Sequence, residues 1–151
     1  RREGMLLLVL PSAFLGPATL WLWPRVVPDP AALPAWLAAN GLGGSTLLFF
    51  AAWFGLVHPV LEQLHWRPLR RGPHPWLAHL CFAGYHGLVL RLLLPTPWVL
   101  ASVLLLLGAS VAWTTAEERY GGARTVLLSH LVADAGFILA VVSLATRPLV
   151  A

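Results

Sequence analysis

The sequence predicts an all-α protein, a polytopic bundle of about five transmembrane helices, and two observations support this prediction. Hydrophobic residues make up 58% of the 151-residue chain and charged residues only 11%, which is too little charge to cover a soluble domain. The apolar residues also fall in runs of roughly 20, the length that spans a bilayer. These runs are separated by clusters of Pro, Gly and Arg, so we expect the bilayer to be the solvent of this chain.

Five segments have the length and hydropathy of membrane spans. They comprise residues 4–23, 34–57, 76–94, 98–113 and 125–146. Pro11 and Pro17 interrupt the first span, and the glycines of the second allow helices to approach closely. Most Trp residues lie close to span ends, as interfacial aromatic side chains do. We expect one membrane-embedded domain over residues 1–151, and, because the chain begins with Arg1, we expect it to be trimmed or part of a longer protein.

The ten basic residues, all of them Arg, give a net charge of +4 and lie at predicted helix ends. With five spans, seven Arg fall on one side of the membrane and three on the other. By the positive-inside rule the N-terminus is cytoplasmic, and the short loops suggest a bacterial inner membrane. Arg at span ends, among them Arg70, Arg71 and Arg91, are interpreted as orientation or snorkelling charges. This placement argues for membrane lipid and against nucleic acid as a partner.

Ionisable groups inside hydrocarbon are costly unless paired or hydrated, and they therefore mark candidate functional positions. The chain has seven within or near its spans: His58, Glu62, His79, His86, Arg91, His130 and Asp134. The predicted topology places Glu62 at or beyond the cytoplasmic end of span two, and His86 and His130 within reach of it. His79 is interpreted as a hydrogen-bonded packing residue, whereas for His58 a packing role and a functional role are equally open. The single cysteine, Cys81, excludes an internal disulfide and a multi-cysteine metal site.

Three short patterns follow one another along the chain, each with a four-residue spacing. They are Glu62-Gln63 with Arg67 four residues later, Phe82 four residues before His86, and His130 four residues before Asp134. In this order they resemble the three motifs of the CAAX protease and bacteriocin-processing (CPBP, Abi-type) family, with the core motifs in residues 57–137. The alternative placement of the first motif at Glu117-Glu118 leaves no room for the second motif and is rejected.

The resemblance implies an intramembrane endopeptidase in which Glu62 activates water for attack on a peptide bond near the membrane. The implied catalytic residues are Glu62, His86, His130 and Asp134, and the implied supporting residues are Gln63, Arg67 and Phe82. His86 shares in positioning the water, and His130 stabilises the oxyanion. The implied substrates are membrane-anchored or lipidated peptides, such as prenylated C-terminal peptides or bacteriocin-like precursors.

Two positions depart from the family pattern. Gln63 replaces the second glutamate, so the acidic pair is reduced to one carboxylate. Asp134 stands where the family usually has asparagine, and an ionised carboxylate cannot donate to an oxyanion. Asp134 is therefore either protonated or accepts the ring proton of His130.

Several alternatives remain open on the sequence. The cofactor is either none or a divalent metal such as zinc, held by Glu62, His86 and His130, although the helical His-Glu-x-x-His motif is missing. A non-catalytic membrane scaffold or immunity protein of the same family is the main rival function. A b-type cytochrome with His86 and His130 as haem ligands and a proton-coupled carrier are the others.

Overall fold

A computed structural model of the chain describes residues 2–120 and 122–146, and within those ranges it is helical with no β-strand. The eight α-helices of the described ranges are α1 Arg2–Ala13, α2 Leu15–Val26, α3 Leu33–Ala39, α4 Ser45–Ala52, α5 His58–Arg70, α6 Pro75–Leu90, α7 Thr96–Tyr120 and α8 Ala123–Thr146. A 3₁₀ turn covers Pro30–Ala32, and a π-helical turn, Trp53–Val57, joins α4 to α5. The predicted all-α fold class is confirmed.

Four helical segments in the described part of the chain are long and apolar enough to cross a membrane, which supports an integral membrane protein. They are Leu6–Val26, Ser45–Arg70, Thr96–Tyr120 and Ala123–Thr146. The remaining predicted span forms α6, which has 16 residues and is about 24 Å long, shorter than the roughly 30 Å hydrocarbon core. The helix ends at Leu90, and the chain turns over residues 91–95 before α7 begins.

The second predicted span has different bounds in the structure. Residues 40–44 break the helix, and two of their glycines adopt positive φ, 78° at Gly41 and 57° at Gly44, a conformation that side chains with a Cβ rarely accept. Helix resumes at Ser45 and continues to Arg70. The predicted end at residue 57 was therefore wrong, and Glu62 lies inside the helix, eight residues before Arg70 and about 12 Å from that end.

Helix α5 and the end of α7 meet at one end of the bundle. Arg67 Nε and Arg71 Nη2 lie 2.6 Å and 3.0 Å from the same carboxylate oxygen of Glu117. Because α7 finishes beside the end of α5, its first residue lies at the opposite end of the bundle. Helix α6 therefore carries the chain from one end to the other despite its short length.

Helix α8 occupies the middle of the bundle and makes its most extensive contacts with α1 and α2. The closest approach joins Gly16 to Gly136, where a Cβ built on Gly16 would lie 2.7 Å from the carbonyl oxygen of Gly136. Gly55 of the π-helical turn packs similarly against Ala135, with 3.3 Å between a built Cβ and the Ala135 Cα. Small residues thus allow two segments, α2 and the π-helical turn, to approach α8 closely.

Candidate functional site

Five ionisable side chains from three helices converge around one carboxylate. Helix α5 contributes His58 and Glu62, α6 contributes His86, and α8 contributes His130 and Asp134. On α5 and on α8 the two residues are four apart, so each pair shares one helix face. We call these five residues the Glu62 cluster. It includes all four of the catalytic residues that the family resemblance implied.

Glu62 is the centre of the cluster. Its Oε1 lies 3.7 Å from His58 Nε2 and 3.9 Å from His86 Nε2. Its Oε2 lies 3.1 Å from His130 Nε2, but the two groups are not aligned as a hydrogen bond. The side chain is 6% exposed, and neither oxygen has a hydrogen-bond partner among the described residues. A buried carboxylate without partners is costly, so this position is suited to hold water, a cation or a reacting group.

Three residues of the cluster are partly exposed. The side chains of His58, His86 and Asp134 are 19%, 22% and 16% exposed, whereas His130 is 3% exposed. These three side chains are therefore the ones in the cluster that are most accessible from outside. His130 forms the inner wall.

His86 is oriented by its own helix. Its Nδ1 lies 2.8 Å from the carbonyl oxygen of Phe82, and since a carbonyl can only accept, Nδ1 carries the donated proton. The other ring nitrogen, Nε2, then presents a lone pair toward Glu62. Phe82 is 1% exposed, and its ring packs edge-on against His86 and His130.

His58, for which the sequence left a packing and a functional role equally open, lies within the cluster. Its Nδ1 lies 3.3 Å from Asp134 Oδ2, and its ring stacks on Phe54 of the π-helical turn at 4.9 Å. Because a carboxylate only accepts, Asp134 orients His58 with Nε2 toward Glu62. The i,i+4 spacing of His58 and Glu62 is the sequence signal that could have identified it.

Asp134 lies between two imidazoles. Besides its contact with His58, its Oδ1 lies 3.6 Å from His130 Nε2. This separation is longer than a hydrogen bond. The structure thus assigns the orienting contact of Asp134 to His58, whereas the sequence had suggested His130.

Three arginines near the site differ in their surroundings. Arg67 pairs with Glu117 and not with Glu62. Arg70, interpreted from the sequence as an orientation charge, is 4% exposed and donates to Gln63 Oε1 at 2.8 Å and to Ser110 Oγ at 3.3 Å. Arg91, by contrast, is exposed at the end of α6, as a snorkelling side chain would be.

His79 remains outside the cluster. It is 5% exposed, and its Nδ1 lies 2.8 Å from Ser110 Oγ, the hydroxyl that also accepts from Arg70. The structure therefore gives it the hydrogen-bonded packing role predicted from the sequence.

A buried hydroxyl network supports the inner wall of the cluster. Ser129 is fully buried, and its Oγ accepts from Trp113 Nε1 at 3.0 Å and lies 2.8 Å from Ser12 Oγ. The Trp113 ring in turn stacks on His130 with ring centroids 4.5 Å apart. The contacts of Ser129, which lies on α8 next to His130, thereby connect α8 to both α7 and α1.

Replacing Ser129 by alanine is expected to lower the free energy of unfolding by about 1–3 kcal/mol, because Trp113 Nε1 loses its acceptor in a buried position. The change is measured as the midpoint of unfolding by sodium dodecyl sulfate, followed by circular dichroism. Ser143→Ala on the same helix, at a half-buried position, serves as the control. Equal midpoints for the two variants would contradict a structural role for the network.

Comparison of the chain with protein-family models, with curated proteins and with solved structures finds no match.

Proposed function

We propose that this protein is an intramembrane endopeptidase of the CAAX protease type, in which Glu62 activates water for attack on a peptide bond. The observation that supports this most strongly is the state of Glu62. Its carboxylate is buried, has no hydrogen-bond partner among the described residues, and lies within 4 Å of three imidazole nitrogens. A general base needs this combination of an available lone pair and neighbouring groups that position water.

The positions of these groups support a hydrolytic step. A water molecule between Glu62 Oε1 and the imidazoles of His58 and His86 would find acceptors for both of its hydrogens. Glu62 takes one proton as the water oxygen attacks the carbonyl carbon of the peptide bond. The negative charge that develops on the carbonyl oxygen needs a donor.

His130 is placed to supply that donor, because its Nε2 faces the centre of the cluster at 3.1 Å from Glu62 Oε2. When the tetrahedral intermediate collapses, the C–N bond breaks and the proton held by Glu62 passes to the leaving nitrogen. The products are a carboxylic acid and an amine, and Glu62 is again a carboxylate. No covalent intermediate with the protein is required.

The substrate we propose is a peptide anchored in or at the membrane. Glu62 lies about 12 Å from the Arg70 end of its helix. A peptide must enter the membrane to about this depth to reach Glu62, and a membrane anchor would hold it there. The accumulation of Arg67, Arg70, Arg71 and Arg119 at that end of the bundle suggests that it faces the cytoplasm. The membrane we propose is the bacterial inner membrane.

A metal-dependent form of the same reaction is the second candidate. The residues that fit a cation best are His58, Glu62 and Asp134, which can each bring one ligand atom within 4.8 Å of the other two. This set differs from the expected ligands Glu62, His86 and His130. A divalent cation held there would supply a polarised water.

The test is hydrolysis by the purified chain reconstituted in lipid vesicles, with a library of quenched, lipid-anchored peptides in water enriched in ¹⁸O. We expect cleavage of at least one peptide, with one ¹⁸O atom in the new carboxyl group detected by mass spectrometry. Vesicles without protein are the control. Equal cleavage with and without a chelator would support Glu62 acting alone, and loss of cleavage would support the metal-dependent form.

Absence of cleavage across the library by protein that retains its helical circular dichroism would contradict the protease proposal. It would favour the non-catalytic membrane scaffold instead. A Soret absorption band in the purified protein would favour the cytochrome alternative.

A further inference from the structure

Gln63, which replaces the second glutamate of the family motif, lies between a buried cation and His130. Arg70 Nη2 donates to Gln63 Oε1 at 2.8 Å, and the amide nitrogen of Gln63 lies 3.0 Å from His130 Nδ1. Arg70, Gln63 and His130 are 4%, 9% and 2% exposed. The two contacts therefore form a chain of hydrogen bonds that water does not reach.

Arg70 determines which way the Gln63 amide points. A guanidinium has only donors, so the amide oxygen of Gln63 must face Arg70 and its NH₂ group must face His130. The reverse orientation would set N–H against N–H. Arg70 is itself held in place, since its Nη1 donates to Ser110 Oγ at 3.3 Å and its guanidinium lies 5.9 Å from the centre of the Phe82 ring.

The amide orientation in turn determines the tautomer of His130. Because the Gln63 NH₂ group donates, His130 Nδ1 must offer its lone pair, and in the neutral ring the proton then resides on Nε2. His130 Nε2 lies 3.1 Å from Glu62 Oε2 and 3.6 Å from Asp134 Oδ1, although it is aligned for a hydrogen bond with neither. A glutamate at position 63 would favour the other tautomer, since its carboxylate would accept a hydrogen bond from a protonated Nδ1 and leave a lone pair on Nε2.

We propose that Gln63, oriented by Arg70, is a positioning residue that holds His130 in the tautomer with the proton on Nε2. His130 thereby presents a hydrogen-bond donor at the centre of the Glu62 cluster. The catalytic value of this donor for the oxyanion rests on the proposed function, whereas the tautomer itself does not. The replacement of the second glutamate then changes the hydrogen-bond pattern of the site and is not a sign of lost activity.

The tautomer also bears on metal binding. A ring nitrogen that carries a proton cannot coordinate a cation. His130 Nε2 is therefore not a metal ligand in this chain, which agrees with the placement of the best-fitting cation ligands at His58, Glu62 and Asp134.

The tautomer is tested by ¹⁵N NMR of histidine-labelled protein in lipid nanodiscs at alkaline pH, where a free imidazole is neutral. His130 is assigned from its missing signals in His130→Asn. In the native protein we expect Nδ1 to be unprotonated and Nε2 protonated, and in Gln63→Glu we expect the two states to be exchanged. Arg70→Lys retains a donor and should keep the native pattern, whereas Arg70→Leu should give a mixture of both tautomers.

A native spectrum with the proton on His130 Nδ1 would overturn the proposal. So would native-like His130 signals in both Gln63→Glu and Arg70→Leu. The native spectrum alone decides the tautomer in the event that a variant fails to fold.

Cleavage by the same variants tests the catalytic consequence. With the donor lost, Gln63→Glu is expected to lower kcat by about 10²–10³-fold, the usual cost of one oxyanion donor, with little change in KM. His65→Glu introduces the same charge two residues away at an exposed position and should keep near-native kcat. If the spectra exchange as expected and the native protein cleaves no peptide, the proposed function fails while the assigned role of Gln63 stands.

Discussion

Replacing Glu62 by glutamine is expected to lower kcat by about 10³-fold in the reconstituted cleavage assay, within the range found for loss of a general base. Glutamine keeps the volume and hydrogen-bonding shape of the side chain but cannot take a proton from water. Substrate contacts made elsewhere are unchanged, so KM should stay within a few-fold of the native value. The measurement is steady-state cleavage of the best peptide from the library, with protein amounts matched by absorbance.

The matched control is Glu118→Gln, which removes an exposed carboxylate from α7 and should leave kcat unchanged. A Glu62→Gln protein within tenfold of native activity would show that the base is another residue. Loss of activity in both variants would point to a general charge effect at the membrane surface.

Glu62→Gln also distinguishes an effect on activity from an effect on stability. Both oxygens of Glu62 are buried and lack hydrogen-bond partners among the described residues, and such a group destabilises the native state. We therefore expect Glu62→Gln to unfold at an equal or higher concentration of sodium dodecyl sulfate than the native protein. A variant that is as stable as the native protein but inactive shows that the carboxylate is retained for a reason other than stability.

Much of this arrangement could be predicted from the sequence because helical spacing determines which side chains share a face. Phe82 with His86, and His130 with Asp134, are each four residues apart. In the structure His86 and His130 lie 3.9 Å and 3.1 Å from the Glu62 carboxylate, and the Phe82 ring packs against both imidazoles. The cost of placing ionisable groups in hydrocarbon is by itself enough to mark His86, His130 and Asp134 as candidate functional residues. Membrane spans were likewise visible as apolar runs of the right length.

The rest could not be predicted because it depends on contacts between distant segments. Arg70 follows the last apolar residues of its helix, where a charge ordinarily faces the headgroups, and only the structure reveals its hydrogen bonds to Gln63 and Ser110. The surroundings of His58 could not be predicted because its partner Asp134 lies 76 residues away.

The bounds of the second span were misjudged for a related reason. Polar residues after Val57 suggested that the helix had reached the membrane surface. In the structure those polar residues meet partners on α6 and α8, so the helix continues past them to Arg70. A span that carries a polar site is therefore longer than its apolar run.

Replacing Gly16 by alanine is expected to lower the free energy of unfolding by about 1–3 kcal/mol, the usual cost of adding a methyl group where there is no room. The new Cβ would lie 2.7 Å from the carbonyl oxygen of Gly136. That oxygen belongs to the backbone of α8 and cannot rotate away as a side chain would, so α2 and α8 must move apart. The change is measured as a lower midpoint of unfolding by sodium dodecyl sulfate.

Gly108→Ala on α7 is the matched control, because no atom lies within 4 Å of a Cβ built at that exposed helical position. Alanine is the better helix former by about 1 kcal/mol, so Gly108→Ala should be neutral or stabilising. Opposite shifts for the two variants would establish that backbone contact at Gly16, and not helix propensity, limits stability. A neutral Gly16→Ala would mean that α2 and α8 are not in contact there. Because the Glu62 cluster takes two of its five residues from α8, any separation of α2 from α8 that shifts this helix should also lower kcat.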